Sequence, residues 1–340
     1  MSRYLVTGAT TPSGLSLLRE LLRRRDTKRV IAVGHEIHRE APLRDGRLTY
    51  IRLDLTRERN VRGLVFGTVK EEQIESIVHM ATHRGAPTGP RSRALNVDSA
   101  QRLLRFAERT PSVRRFVYRS YSTVFNVNGR LPTRMNEDHP LRIGPGTPEY
   151  VLQRVEADLA ICARMGMSRI RIAVLRCAEC LAPKTGSQLW DYLQAPICPR
   201  PVGFDPMLNV LSDVDLGRAL SMAATSDAQG VFTIPGWDTL PLSRIVARFG
   251  KRDVPMPGPM IAALFGLRRG AGGTFRYAIS GHQLHFGGIL DGRRAKADLG
   301  YTPENPVLWP LLPAEIDRRA LIANPRSLRG RIERLVTREK

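Results

Sequence analysis

Tyr150 and Arg154 stand four residues apart in a stretch, 150–165, whose apolar positions recur at helical spacing. One helical turn puts both side chains on the same face. A guanidinium beside a phenol favours the tyrosinate. The planar fork of Arg is longer and shaped differently from a Lys ammonium, and the geometry it imposes differs accordingly. Tyr121 and Ser122 add two hydroxyls just after a strand-like run at 116–118.

A second group lies at the start of the chain. Tyr4 to Thr7 reads as a strand, and Gly8, Thr10, Thr11, Pro12, Ser13 and Gly14 belong to a tight turn that opens a helix. Such a turn brings an anion to backbone N–H groups at a helix N-terminus, where the dipole favours negative charge. Thr11 puts a side chain where a glycine would allow close approach. Pro12 suits a first helical position but has no N–H to donate. Ser13 keeps its N–H and adds a hydroxyl.

The elements that must position these residues alternate along the chain. Strand-like runs at 30–33, 48–53 (ending at Asp54), 77–81, 116–118 and 170–175 are separated by helical patterns at 15–22, 95–108 and 150–165. This alternation predicts an α/β fold, a doubly wound parallel sheet of Rossmann type that binds ligands at the carboxyl ends of its strands. Beyond Ala182 Pro and Gly become frequent, as expected for a smaller, loop-rich C-terminal substrate lobe. The expected division is a Rossmann domain at 1–182 with 205–235 returning to it, a discontinuous lobe at 183–312, and a basic amphipathic tail at 313–340. Runs at 210–214 and 231–234 read as strands of the return, and the glycines at 270–273 as a flexible turn.

The formal net charge is +21, from 53 Lys and Arg against 32 Asp and Glu, and only six of the cations are Lys. They are scattered, with no zinc-finger, helix-turn-helix or RNA-recognition pattern to organise them, so the charge reads as a solvated basic surface and nucleic acid is not expected as a partner. The apolar run 259–267, followed by Arg268 and Arg269, has the pattern of an interfacial helix, as does the tail with Leu328, Ile332, Leu335 and Val336 on one stripe. Docking on the body, a homodimer contact and peripheral membrane contact all remain open for both. No apolar run is long enough to span a bilayer and no signal-peptide pattern opens the chain, so the expected location is cytoplasmic. Four cysteines make no disulfide framework. Cys177 and Cys180 have no second pair, and His79 lies in a strand, out of register with His83, so no metal site is expected.

Taken in order, these residues resemble the extended short-chain dehydrogenase/reductase superfamily, specifically its NAD-dependent epimerase/dehydratase group. Gly8 and Gly14 match the outer glycines of that family's turn, and Asp54-Leu55 the acidic pair after its third strand. Met80-Ala81-Thr82 matches the small-residue segment behind the cofactor, Asn96-Val97 the Asn-Val of the next helix, and 120–125 the Ser-Ser-x-x-Val-Tyr segment. Tyr150 and Arg154 match Tyr-x-x-x-Lys with Arg for Lys, and 294–303 a late Lys-Ala…Leu-Gly-Trp-x-Pro signature. The resemblance implies an NAD or NADP site on Gly8, Thr10, Thr11, Pro12, Ser13, Gly14, His35, Asp54, Leu55, Met80, Ala81, Thr82, Asn96, Tyr150 and Arg154. Gly34 stands where an NAD-type acid would be, with His35, His38 and Arg39 nearby, a slight lean to NADP. Tyr150 would move a proton, Arg154 would support it, and Tyr121 or Ser122 would hold the substrate. The implied reaction is at a hydroxyl or ketone carbon, in a nucleotide-linked sugar or, if Phe265 lines the pocket, a lipid-like alcohol. The alternative is a non-catalytic dinucleotide-binding relative acting through partner or membrane contacts.

Overall fold

The computed structural model describes residues 2–35, 43–83, 89–270 and 274–310. Its strands β1 (Ser2–Thr7), β2 (Thr27–Gly34), β3 (Leu48–Arg52), β4 (Ser76–His79), β5 (Arg115–Tyr121), β6 (Arg171–Cys177) and β7 (Gly230–Ile234) form one sheet in the order β7-β6-β5-β4-β1-β2-β3. Every neighbouring pair is parallel. Both faces are covered, so the strands are apolar on both sides and successive residues serve different layers. Tyr4, Val6, Val30 and Ala32 point to one core, and Leu5, Ile31 and Val33 to the other.

Helices α1 (Pro12–Arg23) and α5 (Asp213–Thr225) cover the first face, with Leu17, Leu18 and Leu21 meeting Leu216, Ala219 and Leu220. Their backbones touch at Gly217, where a Cβ would stand 2.7 Å from the Leu17 nitrogen. The second face carries α2 (Glu58–Gly63, continued by the wider turn Leu64–Val69) and α3 (Pro90–Arg93, running on through Ala94–Asp98 and Ser99–Ala107). Beside them lies α4 (Glu149–Cys162), which gives Ala157 and Ile161 to the second core and Tyr150, Val151 and Val155 to the first.

The lobe has its own core around Tyr192, Leu193, Ile245, Val246, Ile261 and Phe265. A three-stranded sheet there joins Asp238–Pro241, Met207–Leu211 and Glu179–Cys180, and Ile197–Pro201 pairs with Arg252–Met256. The strand expected at 210–214 therefore stops at Leu211 and belongs to the lobe; Ser212 caps α5, its hydroxyl accepting the Asp215 N–H at 3.1 Å. Helix Gly258–Gly270 docks on the lobe through Ile261 and Phe265, the Phe265 ring 4.5 Å from Phe275 and 5.9 Å from Tyr192, and leaves Met260 and Leu267 exposed. Gly270 thus ends a helix instead of opening a turn, while 271–273 and the tail at 313–340 lie outside the described residues. Among those described, no helix is long and apolar enough to cross a membrane.

Candidate active site

The chain runs outward from β1 to β2 and β3, then crosses back to β4 on the other side of β1. The reversal opens a crevice at the carboxyl ends of β1 and β4. A cleft of about 380 Å³ sits there, lined by Gly8, Thr10 and Thr11 after β1, Gly34 and His35 after β2, Asp54 and Leu55 after β3, and Met80, Ala81 and Thr82 after β4. Nine of the expected cofactor residues are thereby brought together. Pro12, Ser13, Gly14 and Asn96 are not part of the lining, and His38 and Arg39 lie outside the described residues.

The turn is built by close approach. Gly8 adopts φ +71°, and a Cβ on it would stand 2.9 Å from the Ala81 nitrogen; a Cβ on Gly14 would stand 2.5 Å from the Gly8 oxygen. Thr11 is the N-cap of α1. Its hydroxyl accepts the Gly14 N–H at 3.0 Å and donates to the Gly8 carbonyl at 3.0 Å. The helix end therefore satisfies one of its own amides, and Pro12 contributes none. Ser13, expected to present a hydroxyl, is fully buried with Oγ 3.3 Å from Thr11 Oγ1.

Behind the cleft a neutral network ties β1 to β4. Thr7 Oγ1 accepts the Met80 and Ala81 N–H groups at 3.2 and 3.3 Å, so its own proton goes to His79 Nδ1 at 2.8 Å. His79 then carries its proton on Nε2 and donates to Ser99 Oγ at 3.3 Å. Burial pushes the imidazole down to about 4. Asn96 is a clamp: its Oδ1 accepts the Thr82 hydroxyl at 3.2 Å and the His83 N–H at 2.9 Å, and its Nδ2 donates to Gln153 at 3.0 Å. Asp54 accepts the Thr56 hydroxyl at 2.6 Å, which holds its carboxyl below the usual range.

Tyr150 and Arg154 meet as the one-turn spacing requires, the guanidinium donating to the phenol oxygen. Both are sealed, at 1% and 2% exposure. Burial raises the phenol's pKa, and the opposing pull of Arg154 does not overcome it. Its proton goes to the Gly186 carbonyl at 2.8 Å, and Arg154 Nη2 donates to the same oxygen at 2.7 Å. This carbonyl belongs to a strap, 183–187, between the lobe strand Glu179–Cys180 and the helix Gln188–Leu193. Arg154 also donates to Thr123 Oγ1 at 3.0 Å. The Tyr121 ring carries Arg154 at 3.6 Å and Arg119 at 4.4 Å from its centroid. Tyr150 and Arg154, also expected to hold the cofactor, and Tyr121 and Ser122 are all buried, and none of the four lines the cleft.

Several residues join the site that sequence reasoning passed over. Arg91, exposed at the start of α3, and His83 line the cleft; a cation just past the fourth strand was the available signal. Arg119 is buried mid-strand, and Asp191, following the strap, has its carboxyl pushed up to about 6 by burial. Neither carries a local signal. Phe265, by contrast, is absent from the cleft lining. Cys177 is buried, its thiol pushed up to about 12, the opposite of an activated thiolate.

The cleft fits a dinucleotide: its glycine contacts leave no room for side chains, and Asp54, Thr10 and Arg91 supply an acid, a hydroxyl and a cation around it. Comparison with known proteins agrees. Residues 4–193 match the model of the NAD dependent epimerase/dehydratase family. The uncharacterized protein Rv0501 of Mycobacterium tuberculosis is 31% identical over 306 residues, covering 88% of this chain and 80% of its own length. Among solved structures, MoeE5 in complex with UDP-glucose and NAD superposes with a TM-score of 0.66 at 21% identity, over 97% of this chain and 100% of MoeE5. The dTDP-glucose 4,6-dehydratase of Bacillus anthracis, in complex with NAD, gives 0.64 at 16% identity over 90% and 92%. That model spans more than half of the chain, from β1 through the lobe's first helix, and the chain belongs to the NAD-dependent epimerase/dehydratase family.

Proposed function

We propose that the chain is an NAD(P)-dependent oxidoreductase or epimerase/dehydratase acting at a hydroxyl or ketone carbon of a nucleotide-linked sugar. The observation that carries this reading is the buried Tyr150–Arg154 pair, hydrogen-bonded to each other, in a fold with a dinucleotide-sized cleft. The turn at 8–14 would hold the pyrophosphate, Asp54 the adenine end, and Arg154 the nicotinamide ribose. A nicotinamide supplies the hydride acceptor or donor. Tyr150 would pass a proton to or from the substrate oxygen, taking that oxygen in place of the Gly186 carbonyl. The nucleotide-sugar class follows MoeE5, solved in complex with UDP-glucose and NAD, and the Bacillus enzyme, a dTDP-glucose 4,6-dehydratase.

The lean to NADP rests on Gly34, which puts no acid at the end of β2, and a Cβ there would meet the Thr10 methyl at 2.6 Å. A second reading, a non-catalytic dinucleotide-binding relative, is favoured by one observation: the strap carbonyl already satisfies the Tyr150 phenol. Calorimetric titration with NAD, NADH, NADP and NADPH, followed by turnover on a panel of nucleotide sugars, tests both. Binding together with turnover that Tyr150→Phe abolishes, leaving binding intact, is the expected result. Binding without turnover selects the second reading, and no binding to any of the four overturns both.

A further inference from the structure

Arg119 and Arg154 are buried charges with no direct ion pair. They are 3% and 2% exposed, and among the described residues no carboxylate lies within ion-pair distance of either. Their neighbour Arg176 shows the ordinary solution, with Asp158 gripping Nε and Nη2 at 3.2 and 2.8 Å. On Arg119 and Arg154, in contrast, both Nε–H groups are buried with no acceptor. A buried donor left without an acceptor is destabilising, more so on a charged group. Structural stability does not explain two such arginines side by side.

What they hold is informative. Arg119 Nη1 donates to the Thr185 carbonyl at 2.8 Å, and Arg154 Nη2 to the Gly186 carbonyl at 2.7 Å, with the Tyr150 hydroxyl on the same Gly186 oxygen. Two guanidiniums and a phenol thus converge on two consecutive carbonyl oxygens of one strap. The strap reaches them through left-handed backbone, φ +62° at Lys184 and +75° at Gly186. Left-handed backbone at a non-glycine residue is strained. The angle at Gly186 favours glycine, and a Cβ there would stand 2.8 Å from Arg154 Nη2. The carbonyl pair is a neutral substitute for the oxygens that guanidinium forks match best, those of an oxyanion. Glu179 already acts through space on Arg119 and Tyr150, and Asp191 on Arg154, so the cluster suits a single planar negative charge better than a dianion.

We propose that Arg119 and Arg154 form a carboxylate-binding site beside Tyr150, that the substrate is an acidic sugar or hydroxy acid, and that the Thr185–Gly186 carbonyls hold this place until the carboxylate displaces them. The substrate class rests on the oxidoreductase reading above; the anion site itself does not. Arg119 is a binding residue on this account, and the strap moves away on substrate entry.

Hydrogen exchange of strap amides 184–187 in the full chain, with D-glucuronate or D-glucose at about 100 mM and ionic strength matched by sodium chloride, tests it. Charge-assisted bonds are worth about 1.5–3 kcal/mol, so glucuronate should speed strap exchange by roughly tenfold or more. Glucose and salt should not. Arg119→Met should remove the response, and Arg119→Lys, which keeps the charge without the fork, should leave a weaker one; thermal unfolding checks that both fold. No response to glucuronate, an equal response to glucose, or a full response in folded Arg119→Met would overturn the site. Dinucleotide titration of the same preparation separates the two readings. A strap freed by glucuronate in a protein that binds no dinucleotide sinks the oxidoreductase reading and leaves the anion site standing, and the reverse sinks only the anion site.

Discussion

Replacing Thr11 by Gly pits the stability of the turn against its affinity for a dinucleotide. The Thr11 hydroxyl caps α1 by taking the Gly14 N–H and ties back to the Gly8 carbonyl, each at 3.0 Å. Gly is itself a tolerable N-cap, and the change from Thr costs only a few tenths of a kcal/mol in most contexts, with ~1 kcal/mol as the upper end here because the second bond is also lost. The same change frees the Gly14 N–H for a pyrophosphate oxygen. A charge-assisted bond contributes about 1.5–3 kcal/mol, and the neutral bond it replaces about 1. The difference, ~1 kcal/mol, corresponds to an affinity gain of roughly five- to tenfold. Calorimetric titration of wild type, Thr11→Gly and Thr11→Ser with the same dinucleotide measures the gain, and denaturant unfolding measures the cost. Thr11→Ser keeps the cap and should match wild type on both axes. A folded Thr11→Gly protein that binds no more tightly than wild type would refute the reasoning that the capping hydroxyl competes with the ligand.

Other consequences can be checked on the same material. His79 is held neutral, pushed down to about 4 from 6.5, so the unfolded chain takes up a proton in a range where the folded one does not. Stability from this group is complete above pH 6.5 and is lost as pH falls towards 4. The loss by pH 5 should be about 2 kcal/mol, and it should vanish from the pH dependence of His79→Gln; parallel profiles for the two proteins would contradict the assignment. Arg91 brings a positive charge to a turn whose helix end donates fewer amides. Arg91→Gln should weaken dinucleotide binding roughly three- to tenfold and flatten its dependence on salt, and an unchanged salt dependence would remove Arg91 from the site.

The sheet and the cofactor turn were legible because their causes are local. Alternation on a strand and the apolar stripe of α1 are set by residues a few positions apart, and Leu17, Leu18 and Leu21 fall where the period puts them. Gly8 and Gly14 are demanded by backbone geometry that no Cβ would survive. The lobe was harder to read. Its strands are short, Glu179–Cys180 among them, and pair with partners far along the chain, so 210–214 read as a return to the main sheet when Met207–Leu211 joins a separate one.

For the buried pair on α4 the sequence by itself determined that Tyr150 and Arg154 share a helix face, since one turn of helix allows nothing else. From that alone, Arg154 pulls the phenol towards its anion. Only the tertiary structure decided the balance. Packing seals the pair from water, desolvation outweighs the neighbouring charge, and the Gly186 carbonyl, 36 residues along the chain, receives the proton. It likewise drew Arg119 and Arg154 onto opposite ends of one carbonyl pair. Helical spacing acts over a few residues, whereas burial and the path of a returning strap depend on the whole chain having folded.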